Sequence, residues 1–216
     1  MIDFVFHFLN PLKIIVLLTL LFGLLILNKK SQTHRHLLAI LFVCFFTEVI
    51  NSILIVNGKP IGLCFTISII IHHGLWLWLL AKNAAFKKVA FLLPGCFLVF
   101  GIVNLFFFDG TQRFNYYTFV AGAFLYIIIF IYESFRRLKQ ENFSFFLSNI
   151  YLLLAAPVLF FFGLSFMFGF NSENVTSILI FGHIKIYTFI TYFVNIVYYT
   201  LINIYVYREK HLKNDA

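Results

Sequence analysis

The stretch LLAILFVCFFTEVINSILIVN, residues 37–57, holds one charged side chain in twenty-one positions. A helix of about 20 apolar residues crosses a hydrocarbon core of about 30 Å. The apolar residues here run continuously rather than along one helical face, which excludes an amphipathic surface helix. Working outward, runs of the same kind occupy about 11–28, 61–81, 88–108, 115–135, 148–169 and 180–207. The whole chain repeats the local message. Of 216 residues, 62% are hydrophobic and 11% charged, with a mean hydropathy of +0.96, against roughly 45–50% and 25% in ordinary soluble domains. Seven crossings use roughly 140 residues, leaving no stretch for a separate soluble domain of about 100 residues. The sequence thus predicts an all-α polytopic membrane protein, a single domain over 1–216 with seven transmembrane helices.

The breaks between runs carry turn residues and charge. Asn28-Lys29-Lys30-Ser31 and Asn57-Gly58-Lys59-Pro60 read as turns, and Asn10-Pro11 as a cap and first-turn proline. Residues 2–9 are apolar but short, and are expected in the interface. Sixteen Lys and Arg divide by side: Lys29, Lys30, Arg35, Lys82, Lys87, Lys88, Arg136, Arg137, Lys139, Arg208, Lys210 and Lys213 against Lys13, Lys59, Arg113 and Lys185. This twelve-to-four split alternates with each crossing, which predicts an external N-terminus and a cytoplasmic C-terminus. The net charge of +8 is therefore read first as an orientation signal and not as a nucleic-acid surface. Its basic tail also suits anionic lipid headgroups. Cys44, Cys64 and Cys96 lie in apolar runs without a Cys-x-x-Cys pair, so they read as buried hydrophobes. No basic n-region or cleavage site marks a signal peptide.

Polar groups within the spans are the candidates for chemistry, because lipid offers them no partner. Glu48 lies about twelve residues into the second run, where an acid costs on the order of 2.5–3.5 kcal/mol on insertion scales. It must be protonated or paired. Cys44, Glu48, Asn51 and Ser52 share one helical face. His72 and His73 stand at similar depth in the third run; Ser68, His72 and Trp76 share a face there, and His73 points about 100° away. The last run adds Thr188, Tyr192, Asn195, Tyr199 and Asn203. Glu48, Asn51, His72, His73, Tyr192, Asn195 and Tyr199 are the ligand-binding candidates, expected around a central polar pocket. Such groups also serve as interhelical glue, at about 0.6 kcal/mol per bond. Glu133 beside Arg136 and Arg137 reads as an interfacial ion pair, and Pro94-Gly95 and Pro157 as kinks. A faint echo between Thr66–His73 and Thr176–His183 suggests two three-helix repeats joined by the fourth helix.

Several chemistries find no residues. Lys185 is too close to a helix end for a retinal linkage, and Asp3, Asp109 and Asp215 all lie outside the spans, so intramembrane aspartate or zinc hydrolases fail. The prolines do not reproduce the sugar-carrier pattern. No metal set, cofactor motif or nucleophile–base pair is legible. Phe45-Phe46-Thr47-Glu48, His72-His73, Asn104 and Asn195-Ile196-Val197-Tyr198 resemble the small free-standing seven-helix membrane proteins of bacteria, which have no established activity. That resemblance implies a self-contained module in the bacterial inner membrane and no substrate. The expectations are a carrier or sensor binding a small, partly apolar ligand or lipid; alternatively an accessory subunit docked on another membrane protein; and last an intramembrane enzyme using Glu48 with His73.

Overall fold

The computed structural model describes residues 10–84, 87–111, 113–169, 178–180 and 182–214. Eight helices are found there: α1 (Pro11–Ile26), α2 (Gln32–Val56), α3 (Gly62–Asn83), α4 (Lys87–Phe107), α5 (Tyr116–Lys139), α6 (Phe143–Leu147), α7 (Asn149–Gly169) and α8 (Ile186–Asn214). Five of them, α2, α3, α5, α7 and α8, are long and apolar enough to cross a membrane. The 16-residue α1 and the apolar part of α4, Phe91–Phe107, are shorter. Local chemistry sets the boundaries. Asn10 accepts from the Leu12 amide and Pro11 opens α1; Asn115 and Asn142 cap α5 and α6 by accepting from Thr118 and Phe145. Gly58 ends α2 at φ +62°, a left-handed position that lets the Lys59 amide return to the Leu54 carbonyl at 2.8 Å.

Helices α1, α2, α3, α5, α7 and α8 pack each against the next, and α8 closes on α1. The result is a six-helix ring. Helix α4 stands outside it against α3, touching α5 more lightly. The ring interior is built on Trp76, Tyr126, Phe161 and Tyr198, all under 2% exposed. The outer surface is apolar too: Leu25, Leu92, Phe107 and Ile128 are exposed, as expected of a lipid-facing wall and unlike the polar surface of a soluble bundle.

Polar clamps hold the two ends of the ring. At the basic end Glu133, 3% exposed, accepts from Arg136 at 3.2 Å and from Arg137 at 2.9 Å. Arg137 also donates to the Asn83 carbonyl at 3.0 Å and covers the Phe145 ring at 4.2 Å. The expected ion pair thus ties α5 to the end of α3 and to α6. At the same end the Asn28 amide donates to His34 Nδ1, leaving Nε2 to donate to Glu209 at 3.1 Å, while Glu209 also accepts from Asn149. That clamp joins α2, α7 and α8. At the opposite end Asn104 donates to Asp109 and Thr118 at 3.1 Å, and the Asn115 amide donates to Thr66 at 3.2 Å.

The last helix departs from the sequence reading. It starts at Ile186 and runs to Asn214, while Leu179–Ile180 (β1) pairs antiparallel with Ile184–Lys185 (β2). Gly182 at φ +85° allows the reversal, and the Ile186 amide donates to the Ile178 carbonyl at 2.9 Å. The helix gains its length at the other end, where Arg-Glu-Lys-His-Leu-Lys (208–213) are good helix formers. This overturns the structural side of the Thr176–His183 echo. Residues 176, 177 and 181 lie outside the described residues, and among the described ones 179–180 are in a strand and 182–183 in a turn, so these do not match the helix of α3. The position of α4 outside the ring is nonetheless the one a linking helix would take.

Candidate functional site

A cavity of about 410 Å³ lies inside the ring. Among the described residues all six ring helices line it and α4 does not: Val16 from α1, Cys44 and Glu48 from α2, Ser68 and His72 from α3, Phe119 from α5, Phe160 and Leu164 from α7, and Asn195 and Tyr199 from α8. Its lining runs from the starts of α3, α5 and α8, at Gly62, Tyr116 and Tyr187, down to His72. The volume falls within the range of small-molecule sites, about 300–1,000 Å³. The wall is mostly apolar and aromatic, with a few polar groups converging on the space.

Four of the seven candidate residues meet at this cavity: Glu48, His72, Asn195 and Tyr199. Asn195 is oriented by its own helix, its Nδ2 donating to the Thr191 carbonyl at 2.8 Å. Thr47, also in the wall, donates to the Val43 carbonyl at 2.7 Å and shares a hydrogen bond with Ser68. Cys44 and Tyr199 face the same cavity from α2 and α8.

His72 forms the floor. The Trp76 indole donates to His72 Nε2 at 3.2 Å and to the Tyr198 hydroxyl at 3.0 Å, and that hydroxyl lies 3.3 Å from the same Nε2. An indole only donates, so Nε2 is an acceptor and the imidazole is neutral with its proton on Nδ1. Rings of Phe160, Phe161 and Tyr198 enclose it edge-on at 5.9–6.3 Å between centroids. The expected Ser68, His72 and Trp76 face is therefore divided: two members line the cavity and the third fixes the ring below it.

The other three candidates lie elsewhere. His73 is fully buried between α3, α4, α5 and α7, donating through Nδ1 to the Ile69 carbonyl at 3.0 Å and stacking on Phe161 at 4.4 Å. Tyr192 donates to Asn10 at 3.3 Å in the seam with α1, and Asn203 donates to Thr19 at 3.0 Å in the same seam. The polar stripe of α8 is thus split between cavity and α1. Asn51 is 2% exposed, with no hydrogen-bond partner for either amide atom among the described residues.

Glu48 takes a partner that helix spacing did not suggest. The Lys13 ammonium lies 3.8 Å from Glu48 Oε2 and donates to Ser52 Oγ at 2.6 Å. Because α1 is nine residues shorter than α2, its first turn falls level with residues 48–52 and not with the end of α2. The signal for this was present in Lys13 at the third position of an apolar helix, yet a basic residue near a helix end also reads as a snorkelling side chain. Among the described residues no three of His, Cys, Asp and Glu come together as a metal set. Comparison of the chain with protein-family models, with curated proteins and with solved structures finds no match.

Proposed function

We propose that this is a seven-crossing membrane protein that holds a small, partly apolar ligand or lipid in the ring cavity, as a carrier or sensor. One observation carries the reading: the cavity reaches Glu48, His72, Asn195 and Tyr199 through a largely aromatic wall built by six helices. Structural glue needs polar groups facing one another, as Asn203 and Thr19 do. Glu48 and His72 have neighbours too, Lys13 and Trp76, but both also line open space. Native mass spectrometry of the detergent-purified chain tests the proposal. A retained small molecule is expected on the unmodified protein and is expected to be lost in Ser68→Trp, which fills the cavity from α3. An identical spectrum for both proteins would overturn the reading.

The crossing of α1 and α4 belongs to the same proposal. At 1.5 Å per residue α1 spans about 24 Å and α4 about 32 Å, and the twelve-to-four charge division supports an external N-terminus in a bacterial inner membrane. Membrane-impermeant maleimide added to intact cells is expected to label Gly58→Cys and to spare Ser31→Cys. Equal labelling of both, or the reverse preference, sinks the orientation. A second reading, an accessory subunit, draws on Phe106, Phe107 and Phe108, three consecutive exposed rings at the end of the peripheral α4. It predicts a stable complex with another membrane protein through that helix.

A further inference from the structure

The chemistry of the cavity wall narrows what it can hold, given that the cavity is a ligand site as proposed above. Glu48 is the only acidic side chain in the lining, and no Lys or Arg is in it among the described residues. The carboxylate is about one-third exposed. Its nearest cation, Lys13, is outside the lining and, at 3.8 Å, beyond hydrogen-bond distance. A carboxylate is acceptor-only, with lone pairs on both oxygens, and no protein donor within hydrogen-bond distance serves Glu48 among the described residues. The Glu48 carboxylate is therefore ion-paired with Lys13 on one side and still presents acceptor lone pairs to the cavity.

The rest of the wall favours a charged donor over a neutral one. Eight Phe and Tyr rings line the space, Phe65, Phe119 and Phe160 among them. Aromatic faces attract cations through their quadrupole, and more strongly once the cation is desolvated. An anionic ligand would meet Glu48 with like charge and no Lys or Arg in the wall to receive it. We infer that the cavity takes an organic ammonium, its charged nitrogen directed at Glu48 and its apolar body held among the aromatic rings. Two sources share this chemistry, a free hydrophobic amine and the headgroup of an aminophospholipid.

Isothermal titration of the detergent-purified full chain with 4-phenylbutylamine, protonated at neutral pH, and with phenylbutanol and phenylbutyrate tests the assignment, because the three share one apolar body, and the ammonium and the alcohol are both donors that differ in charge. The ammonium is expected to bind about tenfold or more tighter than the alcohol, and the acid most weakly. Glu48→Gln should remove the preference of ammonium over alcohol while leaving the alcohol unchanged. The charge series on the unmodified protein decides the matter even where that variant does not fold. Equal affinity for ammonium and alcohol overturns the ammonium assignment and leaves the cavity as a site for neutral ligands. Absence of binding by all three, together with no retained molecule in the mass spectrum, overturns both. Repeating the ammonium titration in phosphatidylglycerol nanodiscs with and without phosphatidylethanolamine separates the sources. Competition by phosphatidylethanolamine supports the headgroup form, and indifference to it supports the free amine.

Discussion

Glu133→Ala is expected to destabilise the folded protein by about 3–5 kcal/mol, the usual cost of removing one partner from a buried ion pair. Glu133 is 3% exposed and accepts from both Arg136 and Arg137. Without it two guanidiniums remain close together on one turn, with no carboxylate between them. Arg137 keeps the Asn83 carbonyl and the Phe145 face, but its geometry there is set by Glu133. The join of α5 to α3 and α6 should loosen as a unit. Glu133→Gln retains an acceptor oxygen and the side-chain volume, so it should cost less than the alanine variant. Thermal unfolding of the purified protein, followed by circular dichroism, provides the comparison. Midpoints of both variants within a degree of the unmodified protein would show that the clamp contributes nothing.

The two clamps and the cavity differ in how far the sequence revealed them. Glu133 with Arg136 and Arg137 is local, at i+3 and i+4 on one helix, so spacing alone exposes it. The long apolar runs are equally local, and the bounds of α2, α3 and α5 follow them closely. Pairings between helices are not local. His34 and Glu209 are 175 positions apart, and Lys13 and Ser52 are 39 apart; nothing in the periodicity of either helix selects the other. The sequence also leaves the rotation of a helix free where all faces are apolar. His73 was a candidate on depth alone, and the direction of its side chain, away from the cavity, follows from α4 and α5 packing on that side of α3. Glu48 and His72 both line the cavity, but each is held by a different neighbour: Lys13 beside one, Trp76 and Tyr198 beneath the other. The apolar run from 180 extends beyond the helix, which starts at Ile186, and within residues 180–185 only the glycine at 182 marks the hairpin.

The glycine at position 122 leads to the second large effect. A Cβ built there would meet the Phe97 ring at 2.6 Å and His73 Cδ2 at 2.7 Å. Neither ring has room to retreat: His73 is fully buried and Phe97 is 3% exposed. Gly122 is thus the point at which α5 comes close enough to enclose His73 against α3 and α4. Overpacking a well-filled core by a single group costs about 1–3 kcal/mol, so Gly122→Ala should fall in that range and Gly122→Val above it. The consequence reaches the cavity by contact. His73 stacks on Phe161, and Phe161 packs edge-on against His72 in the cavity floor. Displacing His73 should therefore shift His72 and, if the cavity holds a ligand as proposed, reduce its retention before the protein unfolds. Gly95→Ala is the matched control, because a Cβ there meets nothing within 4 Å, and replacing a helical glycine by alanine gains roughly 0.5–1 kcal/mol. Melting curves and native mass spectra of the variants supply both readouts. A Gly122→Val protein that melts with the unmodified chain and gives the same native mass spectrum would show that α5 can withdraw from His73, and that the ring does not depend on this close approach.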